Sequence, residues 1–217
     1  MGHLFVISGP SAVGKTSVVR YLLDKNPQLS RVITCTTRSA REGEQDGVDY
    51  IFLSKEDFRK RIENNEFAEF SEVYENYYGV LLASIQESMR KNDISILVIN
   101  WEGFQKVKRS ITENVTGIFI NPPSIEELER RLRLRNTEDE GDIQKRLLTA
   151  RLDIAHSGEY DYSVENKEIP QAAEDIFGII SKVVSDQSVF GGRQESREAQ
   201  ETPETQETQK MSRVVVG

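Results

Sequence analysis

Gly9-Pro10-Ser11-Ala12-Val13-Gly14-Lys15-Thr16 is the stretch that decides the fold. It follows the apolar run Gly2 to Ser8, which reads as a buried strand. It precedes Lys15 to Lys25, where Val18, Val19, Tyr21, Leu22 and Leu23 mark a helical apolar face. Strand, glycine loop and helix in this order satisfy G-x-x-x-x-G-K-[ST] in full. The glycines permit a tight turn that aims backbone N–H groups inward as an anion nest, and the helix N-terminus adds partial positive charge. Lys15 is placed to reach the β- and γ-phosphates of a nucleoside triphosphate, and Thr16 to offer a hydroxyl to Mg²⁺. The motif implies nucleotide-phosphate binding without choosing among kinase, GTPase and other ATPase.

Outward from this loop, strand-like and helical patterns alternate. Strands are expected at Arg31 to Thr36, Ile94 to Ile99, Val115 to Ile120 and Tyr160 to Val164. Helices are expected at about Val80 to Arg90, Glu102 to Ile111, Ser124 to Arg135, 142 to 156 and Pro170 to Val184. That rhythm predicts an α/β fold with a mainly parallel sheet flanked by helices. Residues 49 to 73 break it. Asp49 to Leu53 and Phe67 to Val73 alternate in polarity around a helix opened by Ser54 and Asp57. They read as a small antiparallel lobe inserted into the core. From Gln187 to Gly217 the chain is polar, with Glu195, Glu198, Glu201, Glu204 and Glu207 evenly spaced and no apolar face, so a disordered tail is expected.

Composition excludes more than it suggests. A chain of 217 residues with 37% hydrophobic content can bury one α/β core. A net charge of −8 is the wrong sign for general nucleic-acid binding. The N-terminal MGHLFVISG is too short to span a membrane and lacks the basic start of a secretion signal. The single cysteine, Cys35, forbids an intrachain disulfide, so a cytoplasmic protein with a buried, inert thiol is expected. With only His3 and His156, no Cys/His zinc set can form.

A second charged stretch runs Thr36-Thr37-Arg38-Ser39-Ala40-Arg41-Glu42-Gly43-Glu44, then Asp46-Gly47-Val48-Asp49-Tyr50. Two arginines three residues apart, with a tyrosine beyond a glycine loop, suit a forked anion clamp or, equally, a solvated loop. No N-K-x-D guanine-reading motif of GTPases occurs. The stretch reproduces every fixed position of T-T-R-x-x-R-x-G-E-x-x-G-x-D-Y, the signature of the guanylate kinase family. With the phosphate loop, Tyr77-Tyr78-Gly79, Trp101-Glu102-Gly103 and Glu159-Tyr160-Asp161-Tyr162, the chain resembles that family over about residues 3–185.

The resemblance implies a P-loop NTPase-type core (1–33, 84–125 and 157–186), an inserted NMP-binding lobe (about 34–83), a helical lid (about 126–156) and a tail at 187–217. It implies ATP-dependent phosphorylation of GMP and dGMP in purine nucleotide metabolism, with Mg²⁺, by a monomer or homodimer whose partners are the nucleotides and neither nucleic acid nor membrane. Carried over by position, ATP would lie on Gly9, Pro10, Ser11, Ala12, Val13, Gly14, Lys15, Thr16 and Ser17, with Asn166 near its adenine. Arg38, Arg41, Tyr50 and Tyr78 would hold the GMP phosphate. Glu69 would accept from guanine N1–H and the 2-amino group, and Thr34 would approach O6. Lys15, Arg38, Arg131, Arg135 and Arg146 would gather on the transferring phosphoryl group, with Thr16 on the metal.

Three departures from the family pattern bear on activity. Val80 stands where a hydroxyl residue is usual. Val98-Ile99-Asn100 stands for Asp-x-Asp, leaving no carboxylate at that strand end to orient Mg²⁺ waters or help hold the guanine amino group. Lid glycines are replaced by Leu134 and Asn136. Asn100 keeps an amide oxygen as an acceptor, and Glu102 supplies a nearby carboxylate. Reduced activity or altered base selectivity is therefore expected. Two other readings stay open: a catalytically silent guanylate-kinase-like binding module, against which the intact phosphate loop counts, and an NMP kinase for another acceptor, against which Glu69 counts.

Overall fold

In a computed structural model of the chain, the described residues are 1–73, 75–134 and 140–198, the side chains of Val73 and of 187–198 excepted. They form β1 (His3–Ser8), α1 (Lys15–Lys25), β2 (Leu29–Arg31), β3 (Cys35–Thr36), β4 (Ile51–Phe52), α2 (Lys55–Glu63), β5 (Phe67–Val73) and β6 (Asn76–Leu81). There follow α3 (Leu82–Lys91), β7 (Ile94–Val98), α4 (Trp101–Ser110), β8 (Val115–Asn121), α5 (Ile125–Leu134), α6 (Glu140–Ala155), β9 (Tyr162–Glu165) and α7 (Ile169–Glu198). By their contacts the residues divide into Met1–Ile179, which holds every element up to the start of α7, and Ile180–Gly217, whose described part is the rest of that helix. Among the described residues no helix is long and apolar enough to cross a membrane.

The central sheet is wholly parallel, in the order β2-β7-β1-β8-β9. All six residues of β1 are buried, so both of its faces are covered, as its unbroken apolar run requires. On one face Leu4 and Val6 join Ile85 and Met89 of α3 and Phe104 and Val107 of α4 in a single cluster. Phe5 and Ile7 point the other way and are also fully buried.

The second sheet, β4-β3-β6-β5, has a small core of its own. Phe58 of α2 stacks on Phe67 at 4.2 Å and on Tyr77 at 5.3 Å, beside buried Cys35 and Leu81. Ser54 caps α2 by accepting from the Asp57 N–H, as its spacing predicts. Burial pushes the Cys35 thiol up to about 11, so it is inert as expected.

The structure departs from the sequence reading chiefly in the following ways, beyond shifts of two residues at the starts of α6 and β9. The run Arg31 to Thr36 splits: β2 pairs with β7 in the central sheet, and β3 belongs to the small one. The small sheet is mixed rather than antiparallel, because residues 37–50 carry the chain back far enough for β4 to pair parallel to β3. Asn76–Leu81 is a strand, and the helix expected from Val80 begins at Leu82. Gly79 makes the β5–β6 hairpin possible, since a Cβ there would lie 2.8 Å from the Glu69 carbonyl oxygen. Finally, α7 continues to Glu198, past both Val184 and the start of the polar segment; residues 199–217 lie outside the described residues.

Gly117 lies where β8 passes under the stacked rings of Phe104 and Tyr160, whose centroids are 4.5 Å apart. An added Cβ would sit 2.3 Å from Phe104 Cζ and 2.9 Å from Tyr160 Cδ1, and Phe104 is fully buried with no room to turn. Gly117→Ala is expected to destabilise the fold by about 1–3 kcal/mol, read as a lowered midpoint in denaturant unfolding.

Candidate active site

The phosphate loop leaves the carboxyl end of β1 through backbone conformations that favour glycine: φ is 151° at Gly9 and 98° at Gly14. Both positions are also too crowded for a side chain. A Cβ at Gly9 would lie 2.5 Å from the Ile120 carbonyl oxygen, and one at Gly14 would lie 2.6 Å from Asn166 Nδ2. Ala12 takes a left-handed φ of 63° and packs against Leu132, Ile143 and Leu147 of α5 and α6. No side chain caps the N-terminus of α1 and no acidic residue lies in its first turn, so that end is left for an anion. Lys15 curls over the loop, donating to the Gly9 carbonyl at 2.6 Å and the Pro10 carbonyl at 2.9 Å. Thr16 and Ser17 are exposed in the first turn.

Asn166, 2% exposed, holds the far side of the loop by donating Nδ2–H to the Val13 carbonyl at 2.6 Å. Among the described residues its Oδ1 is buried without a hydrogen-bond partner. Beside it lies a cavity of about 560 Å³ lined by Ala12, Gly14, Arg131, Asn166 and Pro170 among others. Arg131 reaches in from α5 to the carbonyls of Val13 at 3.3 Å and Asn166 at 3.1 Å, its Nε held by Glu127. Two arginines, Arg130 and Arg131, hold the Glu127 carboxyl down at about 2. From α6, Arg146 donates to Ser11 Oγ at 3.0 Å. Arg135, like Asn136, lies outside the described residues.

The second charged stretch is internally bonded. Arg38 makes a bidentate pair with Glu44, 3.0 Å from Nη1 and 2.9 Å from Nη2, and its guanidinium lies 5.5 Å from the Tyr50 ring centroid. Glu44 first, and Tyr78 after it, push the Arg38 guanidinium above its ordinary value. Glu44 also accepts the Arg41 N–H at 2.7 Å, across a turn whose Gly43 has φ 85°. Arg38, then the Arg41 N–H, hold the Glu44 carboxyl below its ordinary value. The Arg41 side chain is exposed. Thr34 is half-buried, its carbonyl accepting from Ile51 N–H at the root of this loop. Sequence reasoning gave Glu44 no role, although its spacing of six from Arg38 and three from Arg41 is the available signal.

Glu69 is turned inward, 7% exposed, and burial pushes its carboxyl up to about 7, with Lys106 opposing and Glu102 assisting. It lies over the first turn of α4. A Cβ at Gly103 would come within 3.0 Å of Glu69 Cδ and 3.1 Å of Asn100 Oδ1, so a glycine is what lets the carboxyl in. That residue was also missed. Asn100 caps α4, its Oδ1 accepting from the Gly103 N–H at 2.9 Å, so one lone pair of the amide oxygen credited to it as an acceptor serves the helix. Burial, with a smaller contribution from exposed Glu102, raises the carboxyl of half-buried Asp153 of α6 as it does that of Glu69. Val80 is fully buried in the hydrophobic core, where packing rather than a hydroxyl is what its surroundings call for.

Strand direction brings these parts to one edge. β1 and β7 run parallel with Ile7 opposite Val98, and Ile99 N–H donates to the Ile7 carbonyl at 3.3 Å. The phosphate loop and the Asn100 cap therefore emerge side by side at the carboxyl ends of neighbouring strands, where open α/β sheets bind ligands. Contacts between α4 and β5 hang Glu69 on that same edge.

Comparison with known proteins agrees with this geometry. The guanylate kinase family model matches residues 1–183. A guanylate kinase of Clostridioides difficile is 41% identical over 180 residues, covering 83% of this chain and 87% of the relative. One from Syntrophotalea carbinolica is 44% identical over 179 residues, covering 82% and 85%. The crystal structure of guanylate kinase from Anaplasma phagocytophilum superposes with a TM-score of 0.66 at 34% identity, covering 83% of this chain and 85% of that one. The chain belongs to the guanylate kinase family.

Proposed function

We propose that this protein transfers the γ-phosphoryl group of ATP to GMP or dGMP, giving ADP and GDP or dGDP. The observation that carries the choice of acceptor is the buried Glu69 carboxyl at the carboxyl edge of the sheet. Ionised, it accepts from guanine N1–H and the 2-amino group together. Adenine offers neither donor, and binding it would leave the carboxylate buried and unpaired at a cost of about 1–3 kcal/mol or more. Turnover tested with GMP, dGMP, AMP, UMP and CMP decides the matter: ADP formed with the guanine nucleotides alone supports the reading, and comparable rates with AMP or the pyrimidines refute it.

The residues divide the work as follows. The N–H groups of residues 9–16 and the first turn of α1 hold the donor phosphates. Lys15 exchanges its two loop carbonyls for phosphate oxygens. Arg38, aligned by Glu44, receives the acceptor phosphate with Arg41, Tyr50 and Tyr78. An oxygen of that phosphate attacks the γ-phosphorus as the bond to the β-phosphate bridging oxygen breaks. Positive charge from Lys15, Arg131 and Arg146 accompanies the moving group. Asn166 Oδ1 is the acceptor available for the adenine amino group. Among the described residues no cluster of His, Cys, Asp or Glu forms a metal cage, while the exposed Thr16 hydroxyl offers one hard oxygen. That set fits Mg²⁺ bound chiefly through nucleotide phosphates and water, with Thr16 as its protein ligand. When bound, Mg²⁺ neutralises charge between the β- and γ-phosphates.

Three outcomes are expected. Lys15→Ala lowers kcat by about 10²–10³-fold while GMP binding, followed by calorimetry, is kept. Glu44→Gln raises the KM for GMP about tenfold, the loss of one charge-assisted contact to Arg38, with kcat changed less. For Glu69, a folded value near 7 against 4.5 for the ordinary carboxyl means that the native state holds the extra proton. Its contribution to stability is therefore complete below pH 4.5 and is lost as pH rises through 7, by about 3 kcal/mol. Glu69→Gln flattens that slope in denaturant unfolding followed across pH. Over pH 6 to 8 the KM for GMP falls about tenfold more in the native protein than in Glu69→Gln. The second ionisation of the nucleotide phosphate is common to both proteins and cancels.

A further inference from the structure

We propose that Glu127 is a positioning residue for phosphoryl transfer: braced by Arg130, it holds the Arg131 guanidinium with both terminal nitrogens facing the phosphate loop and Asn166. The inference rests on the reading of Arg131 given above and adds to it the residue that sets its geometry.

The local sequence offers Glu127 a different task. Ser124-Ile125-Glu126-Glu127 has the spacing of a capping box, in which the hydroxyl takes the N–H three residues on and the glutamate returns to the N–H of the cap. Half of that box is present, since Ser124 Oγ accepts the Glu127 N–H at 3.1 Å. The Glu127 carboxyl is turned to the arginines instead. Its Oε2 accepts from Arg130 Nε at 2.7 Å, and its Oε1 accepts from both Arg130 Nη2 and Arg131 Nε at 2.8 Å. Arg130 thus grips the carboxylate by both oxygens, a fork that fixes its plane and aims Oε1 at Arg131.

The consequence for Arg131 follows from its three nitrogens. Nε is taken by Glu127, while Nη1 donates to the Val13 carbonyl at 3.3 Å and Nη2 to the Asn166 carbonyl at 3.1 Å. The carboxylate therefore anchors the inner corner of the guanidinium and leaves the outer two for the site. There a backbone carbonyl can be exchanged for a phosphate oxygen without moving the anchor. Without Glu127 the long side chain is held only at its tip, by neutral acceptors weaker than a carboxylate. Held down at about 2 by Arg130 and then Arg131, Glu127 stays ionised across the neutral range. Two arginines on one carboxylate still leave positive charge in excess, so the anchor orients Arg131 without cancelling the charge that phosphate must meet.

The test is a double-substitution cycle on kcat with ATP and GMP in Glu127→Ala, Arg131→Ala and the pair, with Glu127→Gln alongside. Circular dichroism checks that each variant is folded. Arg131→Ala is expected to lower kcat about 100-fold. Glu127→Ala is expected to lower kcat about tenfold while the KM for GMP stays within about twofold. Glu127→Gln, whose amide oxygen still accepts from Arg131 Nε, is expected to recover most of that loss. In the Arg131→Ala background, Glu127→Ala is expected to cost less than about twofold, because nothing is left to position. A loss of about tenfold that persists in that background overturns the inference, since Glu127 then acts through the helix and not through Arg131. So does a native kcat in Glu127→Ala. An Arg131→Ala protein that keeps native turnover overturns the reading of Arg131 and the inference with it.

Discussion

Everything in this site depends on the close passage of backbone over backbone at Gly9. The first strand must end in a turn that brings N–H groups together around an anion, and that turn runs directly over the carbonyl of Ile120 on the neighbouring strand. No side chain fits there. The parallel ladder of β1 with β7 and β8 fixes the height at which the turn occurs, and with it the height of the Asn100 cap one strand away. A shift of one residue in either register would move the phosphate loop out of step with the Asn100 cap and exchange the side chains packed on the two covered faces of β1. Core packing and site geometry are one constraint.

That coupling explains which features could be read from the sequence. Continuous apolar runs such as Ile94 to Val98 and Val115 to Ile120 must lie in a doubly covered sheet, because no other arrangement buries both sets of side chains. The phosphate loop is legible because glycine positions, lysine and flanking elements follow from one electrostatic requirement. Short elements were harder. Val32 to Thr34 is apolar enough to continue a strand, yet the chain turns there and crosses from one sheet to the other. Asn76 to Leu81 was hidden because Tyr-Tyr-Gly-Val suits a strand as well as a turn leading into a helix, and only pairing with β5 decides between them.

Side-chain roles divided along a similar line. Glu69 turns inward, and nothing in the local pattern announces that Gly103, thirty-four residues later, makes room for it. Likewise Asn100 has a composition-level meaning, an amide in place of an acid, and a structural one, a helix cap. The second determines what the first can do. Donor and acceptor are the two ends of one rigid group, and the helix cap fixes which way that group is turned.

The same reasoning bears on why a buried carboxyl is used at all. A carboxylate at the surface would accept from guanine equally well in geometry, but water would compete for it and the wrong base would lose little. Burial removes that competition and raises the carboxyl to about 7, so without a ligand the group is balanced between its charged and neutral forms near neutrality. A base that brings two donors restores the charged form, whereas one that brings none leaves it protonated or unpaired. In the proposed reaction, discrimination would arise from the cost of leaving that carboxyl buried without donors, within an apolar framework: Val80 opposite Glu69 across the hairpin, packed with Phe104 in the same core. The valine that looks like a missing hydroxyl in the sequence is, in the fold, a fully buried member of the hydrophobic core on the strand paired with Glu69.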